Sequence, residues 1–193
     1  MRGTLMSVAV LLLLASGAAN AGLVVNGGFE SDFTGWTVTG AAVRGANYGI
    51  STNLPESGTS SAGFRGDLAR GTLTYLSQTL ATVPGQTYIA SFWGANVPHG
   101  APTNTVQFVW DGTQVLNQSN VNPMPWTFVS GPFTATSSST VIEFGFLNGP
   151  QGWWAIDNVN IDPTPEPGSV ILCGLGIGLV GLLRRRACVK KVR

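Results

Sequence analysis

The chain has 193 residues, with 10 Lys or Arg, 9 Asp or Glu and 26 Gly. This length fits one domain with terminal extensions and excludes a large multidomain enzyme. Charged residues make up 10%, against roughly 25% in an average soluble protein, so the chain is turn-rich and poor in ion pairs. Between Leu23 and Asp162, three arginines face eight carboxylates and there is no lysine, a net charge of −5. The positive charge sits at the two ends. A nucleic-acid binder needs a basic stripe on its folded part, so the composition argues against nucleic acid as a partner.

At the start, Met1-Arg2 precedes an unbroken apolar stretch from Val8 to Ala15. Ala19-Asn20-Ala21 then places small residues at the −3 and −1 positions of a cleavage site before Gly22. This tripartite order predicts a secretory signal peptide over residues 1–21.

Residues 22–162 read as β-structure throughout, with no window that sustains a helical period. In Thr87 to Trp93, Tyr88, Ala90 and Phe92 alternate with Ile89, Ser91 and Trp93. Val106, Phe108 and Trp110 alternate with Thr105, Gln107 and Val109, and Ile142, Phe144 and Phe146 with Val141, Glu143 and Gly145. Each segment therefore has one apolar face. Pro84-Gly85 fits a type II turn, and Asp111-Gly112 a tight hairpin between Val106 to Trp110 and Thr113 to Leu116. Many short strands divided by turns predict an all-β fold, a jelly-roll β-sandwich. Both cysteines, Cys173 and Cys188, fall outside this region, so no disulfide holds it together.

All six tryptophans lie between Trp36 and Trp154. An aromatic face can cover the C–H surface of a sugar ring, and it can equally fill a sandwich core. Parity puts Trp110 with the apolar face of its strand, and Trp36 reads as packed. Trp93 falls with Ser91, in the polar class of Gln107 and Glu143. Tyr75, Trp93, Trp126 and Trp153 are the candidate ligand-face aromatics, with Gln107 and Glu143 as hydrogen-bonding partners. The core or loop-packing alternative stands for each of them. No catalytic residues are assigned and the chain is read as a non-enzyme: His99 is the only histidine and lies in a Pro- and Gly-rich loop, and no long loops exist to enclose a carboxylate pair.

Beyond the domain, Pro163-Thr164-Pro165-Glu166-Pro167 reads as a linker over 163–167, because three prolines remove backbone donors. Residues 168–183 are uncharged and span about 24 Å as a helix, short for a bilayer core but sufficient with flanking adjustment. A single transmembrane helix is expected there. Residues 184–193 form a basic tail that the positive-inside rule keeps cytoplasmic, with the domain outside. Gly176-Ile177-Gly178-Leu179-Val180-Gly181 matches a dinucleotide-loop pattern but lacks the βαβ setting that gives the pattern meaning.

Pro165-Glu166-Pro167, the short glycine-rich apolar run and Arg184-Arg185-Arg186 together resemble the PEP-CTERM sorting signal. That resemblance implies export, a transient membrane anchor and processing by an exosortase-type protease, with the product at the cell surface or in the extracellular matrix. A second resemblance covers nearly the whole exported region. Asn26-Gly27-Gly28-Phe29-Glu30, Gly35-Trp36, Ser77-Gln78-Thr79-Leu80, Val83-Pro84-Gly85-Gln86-Thr87-Tyr88 and Ile156-Asp157-Asn158-Val159 look like the galactose-binding-like β-sandwich of carbohydrate-binding modules. It implies that fold and, as a function, binding of carbohydrate, with exopolysaccharide the expected partner. A structural or adhesion protein of the matrix with no sugar site is the alternative. The same resemblance implies a structural Ca²⁺ at Glu30 and Asp157, with carbonyls of the glycine-rich loop as further oxygen ligands. The competing reading has Glu30 capping loop amides and Asp157 facing solvent or an arginine.

Overall fold

The structure is a computed structural model and describes residues 22–53, 55–97, 103–149 and 152–165. The signal peptide, His99, the transmembrane helix, the basic tail and the sorting-motif residues Glu166, Pro167, Arg184, Arg185 and Arg186 lie outside the described residues.

The described residues form ten strands: β1 (Thr37–Gly40), β2 (Tyr48–Ser51), β3 (Ser61–Phe64), β4 (Thr74–Ala81), β5 (Thr87–Val97), β6 (Thr105–Trp110), β7 (Thr113–Ser119), β8 (Met124–Thr134), β9 (Ser139–Leu147) and β10 (Trp153–Pro163). They build two five-stranded antiparallel sheets, sheet A in the order β1-β4-β9-β6-β7 and sheet B in the order β2-β3-β10-β5-β8. The expected all-β sandwich is therefore the fold observed. Alternation decides which face turns inward: Tyr88, Ala90, Phe92, Val106, Phe108, Trp110, Ile142, Phe144 and Phe146 are all buried. The hairpin at Asp111-Gly112 joins β6 to β7 with both residues at positive φ, 48° and 76°, the backbone that a type I′ turn requires.

With no disulfide available, the sheets are held together by aromatic rings that meet between them. Phe64 of sheet B stacks on Phe146 of sheet A at 4.6 Å, Phe92 meets Phe144 edge-on at 5.0 Å, and Phe108 meets Phe133 at 5.6 Å. Pairs of this geometry each contribute about 0.5–1.5 kcal/mol beyond the area they bury. Trp36 stacks on Phe29 and is 8% exposed, so it packs as its sequence position indicated.

Pro163, read from the sequence as the first linker residue, instead closes β10 opposite Tyr88. A proline at the last position of a strand sacrifices little, because its φ is compatible with extended chain. Thr164 resumes the ladder, donating its N–H to Thr87 O at 2.9 Å, and Gln86 Nε2 donates to Thr164 O at 2.7 Å.

Candidate carbohydrate-binding faces

The six candidate ligand residues separate onto the two outer faces. Tyr75 on β4, Glu143 on β9 and Gln107 on β6 point outward from sheet A, since their strand neighbours Thr74, Leu76, Ile142, Phe144, Val106 and Phe108 point into the core. Trp93 on β5, Trp126 on β8 and Trp153 on β10 belong to sheet B. No single site contains all six, because parity along a strand tells inside from outside but not which of two sheets the strand joins.

On sheet A the register aligns Thr39, Tyr75, Gly145, Gln107 and Asn117 in one row across the five strands. A second row runs through Thr37, Ser77, Glu143 and Val109. Gly145 leaves a gap in the middle of the first row: a Cβ built on it would lie 3.0 Å from Tyr75 Cε1 and 3.0 Å from Gln107 Oε1. The phenol ring, the amide and Leu73, whose Cδ2 is also 3.0 Å from that point, thus close over Gly145, which is buried. Strands about 4.8 Å apart make the row roughly 19 Å wide. Glu143 is the only charged side chain that these two rows present. Gly145, Thr39 and Asn117 are the residues that sequence reasoning missed; the signal for them is the strand register, which no single strand carries.

On sheet B, Trp93 leans against the exposed Phe128 at 5.4 Å between ring centroids. Trp153 lies over Gly63, and the guanidinium of Arg65 stands 5.1 Å from its ring centroid. Trp126 sits on edge strand β8, beside the irregularity in the β5–β8 pairing between Gly94 and Asn96.

The Asn26 to Glu30 motif folds into a tight loop against β10. Asn26 Nδ2 donates to Asp32 O at 2.8 Å and to Thr34 O at 3.2 Å, and Asn26 O accepts from Trp36 Nε1 at 3.1 Å. Gly27 O accepts from Val159 N at 3.0 Å, and a Cβ on Gly27 would fall 1.9 Å from Val159 O. Only glycine permits that approach. The segment before β1 therefore runs along the last strand, with Leu23 N donating to Ile161 O at 3.0 Å.

This arrangement brings Glu30 and Asp157 to opposite ends of one loop. Glu30 Oε1 accepts from Thr59 N at 2.8 Å and Ser60 N at 3.0 Å, and Glu30 Oε2 accepts from Thr59 Oγ1 at 2.5 Å. Asp157 Oδ2 accepts from Glu56 N at 2.9 Å and Ser57 N at 3.3 Å, while its Oδ1 accepts from Asn158 N at 2.7 Å. The Thr59 hydroxyl, then the Thr59 and Ser60 amides, hold the Glu30 carboxyl below the ordinary glutamate range, against a partial desolvation. Asp157 is 0% exposed, and burial, aided by the nearby Glu56 charge, pushes its carboxyl up despite the three amides. Among the described residues no cluster of three or more His, Cys, Asp or Glu side chains is placed to hold a metal.

The sequence matches the carbohydrate binding domain family over residues 21–152 and the PEP-CTERM protein-sorting motif over residues 163–187. Among curated proteins compared by sequence, none matches. Among solved structures, the chain is similar to TmCBM61 in complex with β-1,4-galactotriose, with 17% identity, a TM-score of 0.53, and coverage of 74% of this chain and 99% of that one. It is also similar to a xylan-binding domain of the CBM 22 family, with 18% identity, a TM-score of 0.50, and coverage of 75% and 96%. Likeness to the enzymatically active domain of bacteriophage CBA120 tailspike protein 4 has 16% identity and a TM-score of 0.55; it covers 74% of this chain but only 21% of the tailspike chain. At such identities the structural likeness establishes the fold, and the sequence match establishes the family. The chain belongs to the carbohydrate binding domain family and carries a PEP-CTERM protein-sorting motif after its sandwich.

Proposed function

We propose that this exported protein holds a polysaccharide on the outer face of sheet A, with Tyr75 covering a sugar ring and Gln107 and Glu143 hydrogen-bonding its hydroxyls. The observation that carries this reading is the outward row through Gly145, where an aromatic side chain and an amide stand side by side over a glycine that is itself buried. An open row of side chains across a sheet suits a chain ligand better than a single small molecule, and neutral hydroxyls match rows whose one charge is Glu143. The xylan and β-1,4-galactotriose of the structural neighbours supply the ligand class to try first, exopolysaccharide being the expected natural form. The sorting motif supports processing by an exosortase-type protease and release to the surface or matrix, with the domain outside the membrane beforehand.

Calcium between Glu30 and Asp157 is part of the same proposal. The donors are all oxygens, which suits a hard cation. Asp157 is a fully buried carboxylate that accepts from the main-chain amides of Glu56, Ser57 and Asn158. A bound cation would supply the missing countercharge and stabilise the loop without entering the sugar site.

The test is retardation of the full chain in gels containing xylan, β-1,4-galactan or a neutral β-glucan, run in lauryldimethylamine oxide, a detergent without a sugar headgroup. Binding of at least one polysaccharide, weakened about tenfold or more by Tyr75→Ala and by Gln107→Ala, is the expected result. Unretarded migration in every gel would leave the structural or adhesion role in its place.

A further inference from the structure

We propose that the outer face of sheet B carries a second sugar site, independent of the proposed site on sheet A, in the hollow beside Trp153. The hollow has a volume of about 390 Å³ and is floored by glycines on neighbouring strands, Gly49 and Gly63, which pair across β2 and β3. Trp153 forms one wall, and Ser51, Thr52 and Asn53 line the hollow at the β2 end. That volume lies within the range of about 300–1,000 Å³ typical of small-ligand pockets.

The chemistry of the lining selects the ligand. None of the side chains that line the hollow carries a charge. Trp153 offers apolar ring C–H surface beside the hollow, and two hydroxyls with an amide offer donors and acceptors to ring hydroxyls. Those features together describe a neutral pyranose, the Arg65 guanidinium being held on the Trp153 ring and outside the lining. Arg65 lies against the Trp153 ring and Gly63 lies under it, so the wall is held in place before any ligand arrives.

Gly49 shows that the space is real. Its neighbours Tyr48 and Ile50 pack against the core, so its missing side chain would point outward, and a Cβ built there meets nothing within 4 Å. Trp93 does not contribute: it rests on Phe128 instead and is absent from the lining. The outer faces of a two-sheet sandwich point in opposite directions, with sheets packing about 10 Å apart. One chain would then engage two separate glycan segments and cross-link them, an effect that multiplies retention in a matrix without any new contact.

The two sites are separable by stoichiometry. The full chain in lauryldimethylamine oxide is titrated calorimetrically with xylohexaose, cellohexaose and a β-1,4-galactohexaose. Two hexaoses per chain are expected for the wild type, one for Gly49→Leu, which fills the hollow, and one for Tyr75→Ala. Asn53→Ala, an exposed change that leaves the floor intact, should weaken only the second event, about tenfold. One hexaose per chain, lost in Tyr75→Ala and retained in Gly49→Leu, would overturn the second site and leave the sheet A site standing. One hexaose lost in Gly49→Leu and retained in Tyr75→Ala would support the second site and overturn the first. No binding of any hexaose would overturn both.

Discussion

Tyr75 and Gln107 face each other across Gly145, each with an atom 3.0 Å from where a Cβ on that glycine would stand. Gly145→Ala therefore forces the phenol and the amide to give way. Overpacking of this kind typically costs about 1–3 kcal/mol, and here Tyr75 and Gln107, displaced along with Leu73, are the proposed ligand contacts. The expected outcome is a lower melting midpoint together with weakened polysaccharide binding at the sheet A face. A variant that melts lower yet retains full affinity would separate the Tyr75 and Gln107 pair from the binding surface.

Much of this arrangement was legible in the chain itself. Alternation in Tyr88 to Trp93, Val106 to Trp110 and Val141 to Phe146 identified the buried side of three strands, because the side-chain period of a strand is fixed at two. The Asp111-Gly112 turn was legible for a similar reason, since few dipeptides accept two positive φ values in succession. What stayed hidden was pairing. Trp93 and Gln107 share an outward parity, yet they lie on opposite sheets, because sheet membership is set by contacts between strands distant in sequence. β8 was hidden too, as Pro125, Gly131 and Pro132 interrupt its pattern; it survives as an edge strand, where missing donors are tolerated. Asp157 was expected to face a cation of some kind or solvent, and its full burial under the loop at residues 56–57 depends on the fold of a segment a hundred residues earlier.

Phe144 sits where the aromatic packing converges. It stacks on Phe108 at 4.8 Å, meets Phe92 at 5.0 Å and lies 6.3 Å from Phe146 and 6.5 Å from Trp36. Phe144→Ala removes a ring that touches both sheets and leaves a cavity that rigid neighbours cannot fill. A loss of about 3–5 kcal/mol is expected from chemical denaturation. A change under 1 kcal/mol would contradict the packing described.

A polar chain ties the loops at one end of the sandwich. Asn148 Nδ2 donates to Asn96 Oδ1 at 3.0 Å, and Asn96 Nδ2 donates to Val121 O at 2.9 Å. Asn104 adds a reciprocal pair with Val121, donating to its carbonyl at 2.8 Å and accepting from its amide at 3.0 Å. Asn148→Ala takes the donor from a buried acceptor, which costs about 1–3 kcal/mol. Asn148→Asp should be worse at neutral pH, because it sets a carboxylate against the Asn96 carbonyl oxygen in a buried place. Thermal melts of the two variants should rank in that order, and equal midpoints would mean that the Asn96 contact carries no weight.

Asp157 and Glu30 test the metal. Asp157 is buried to 0% exposure, and desolvation raises its pKa in the folded state. A carboxyl whose folded pKa is raised costs nothing below its unfolded value and loses stability as pH rises through the folded one, where the carboxylate forms without a countercharge. Bound calcium would balance it. At a free concentration a hundred times its dissociation constant it would add about 2.7 kcal/mol, or roughly 5–11 °C in melting midpoint for a domain of this size. A chelator should therefore lower the midpoint by several degrees, and added calcium should restore it. Asp157→Asn removes the charge but turns an amide N–H₂ toward main-chain donors, so it should melt lower than the wild type and no longer respond to calcium. Glu30→Gln should blunt the response while retaining the loop, since the Gln carbonyl oxygen can still accept from Thr59 N. A wild-type midpoint that is the same in chelator and in calcium would assign the whole of the loop's stability to the six hydrogen bonds that the two carboxylates accept.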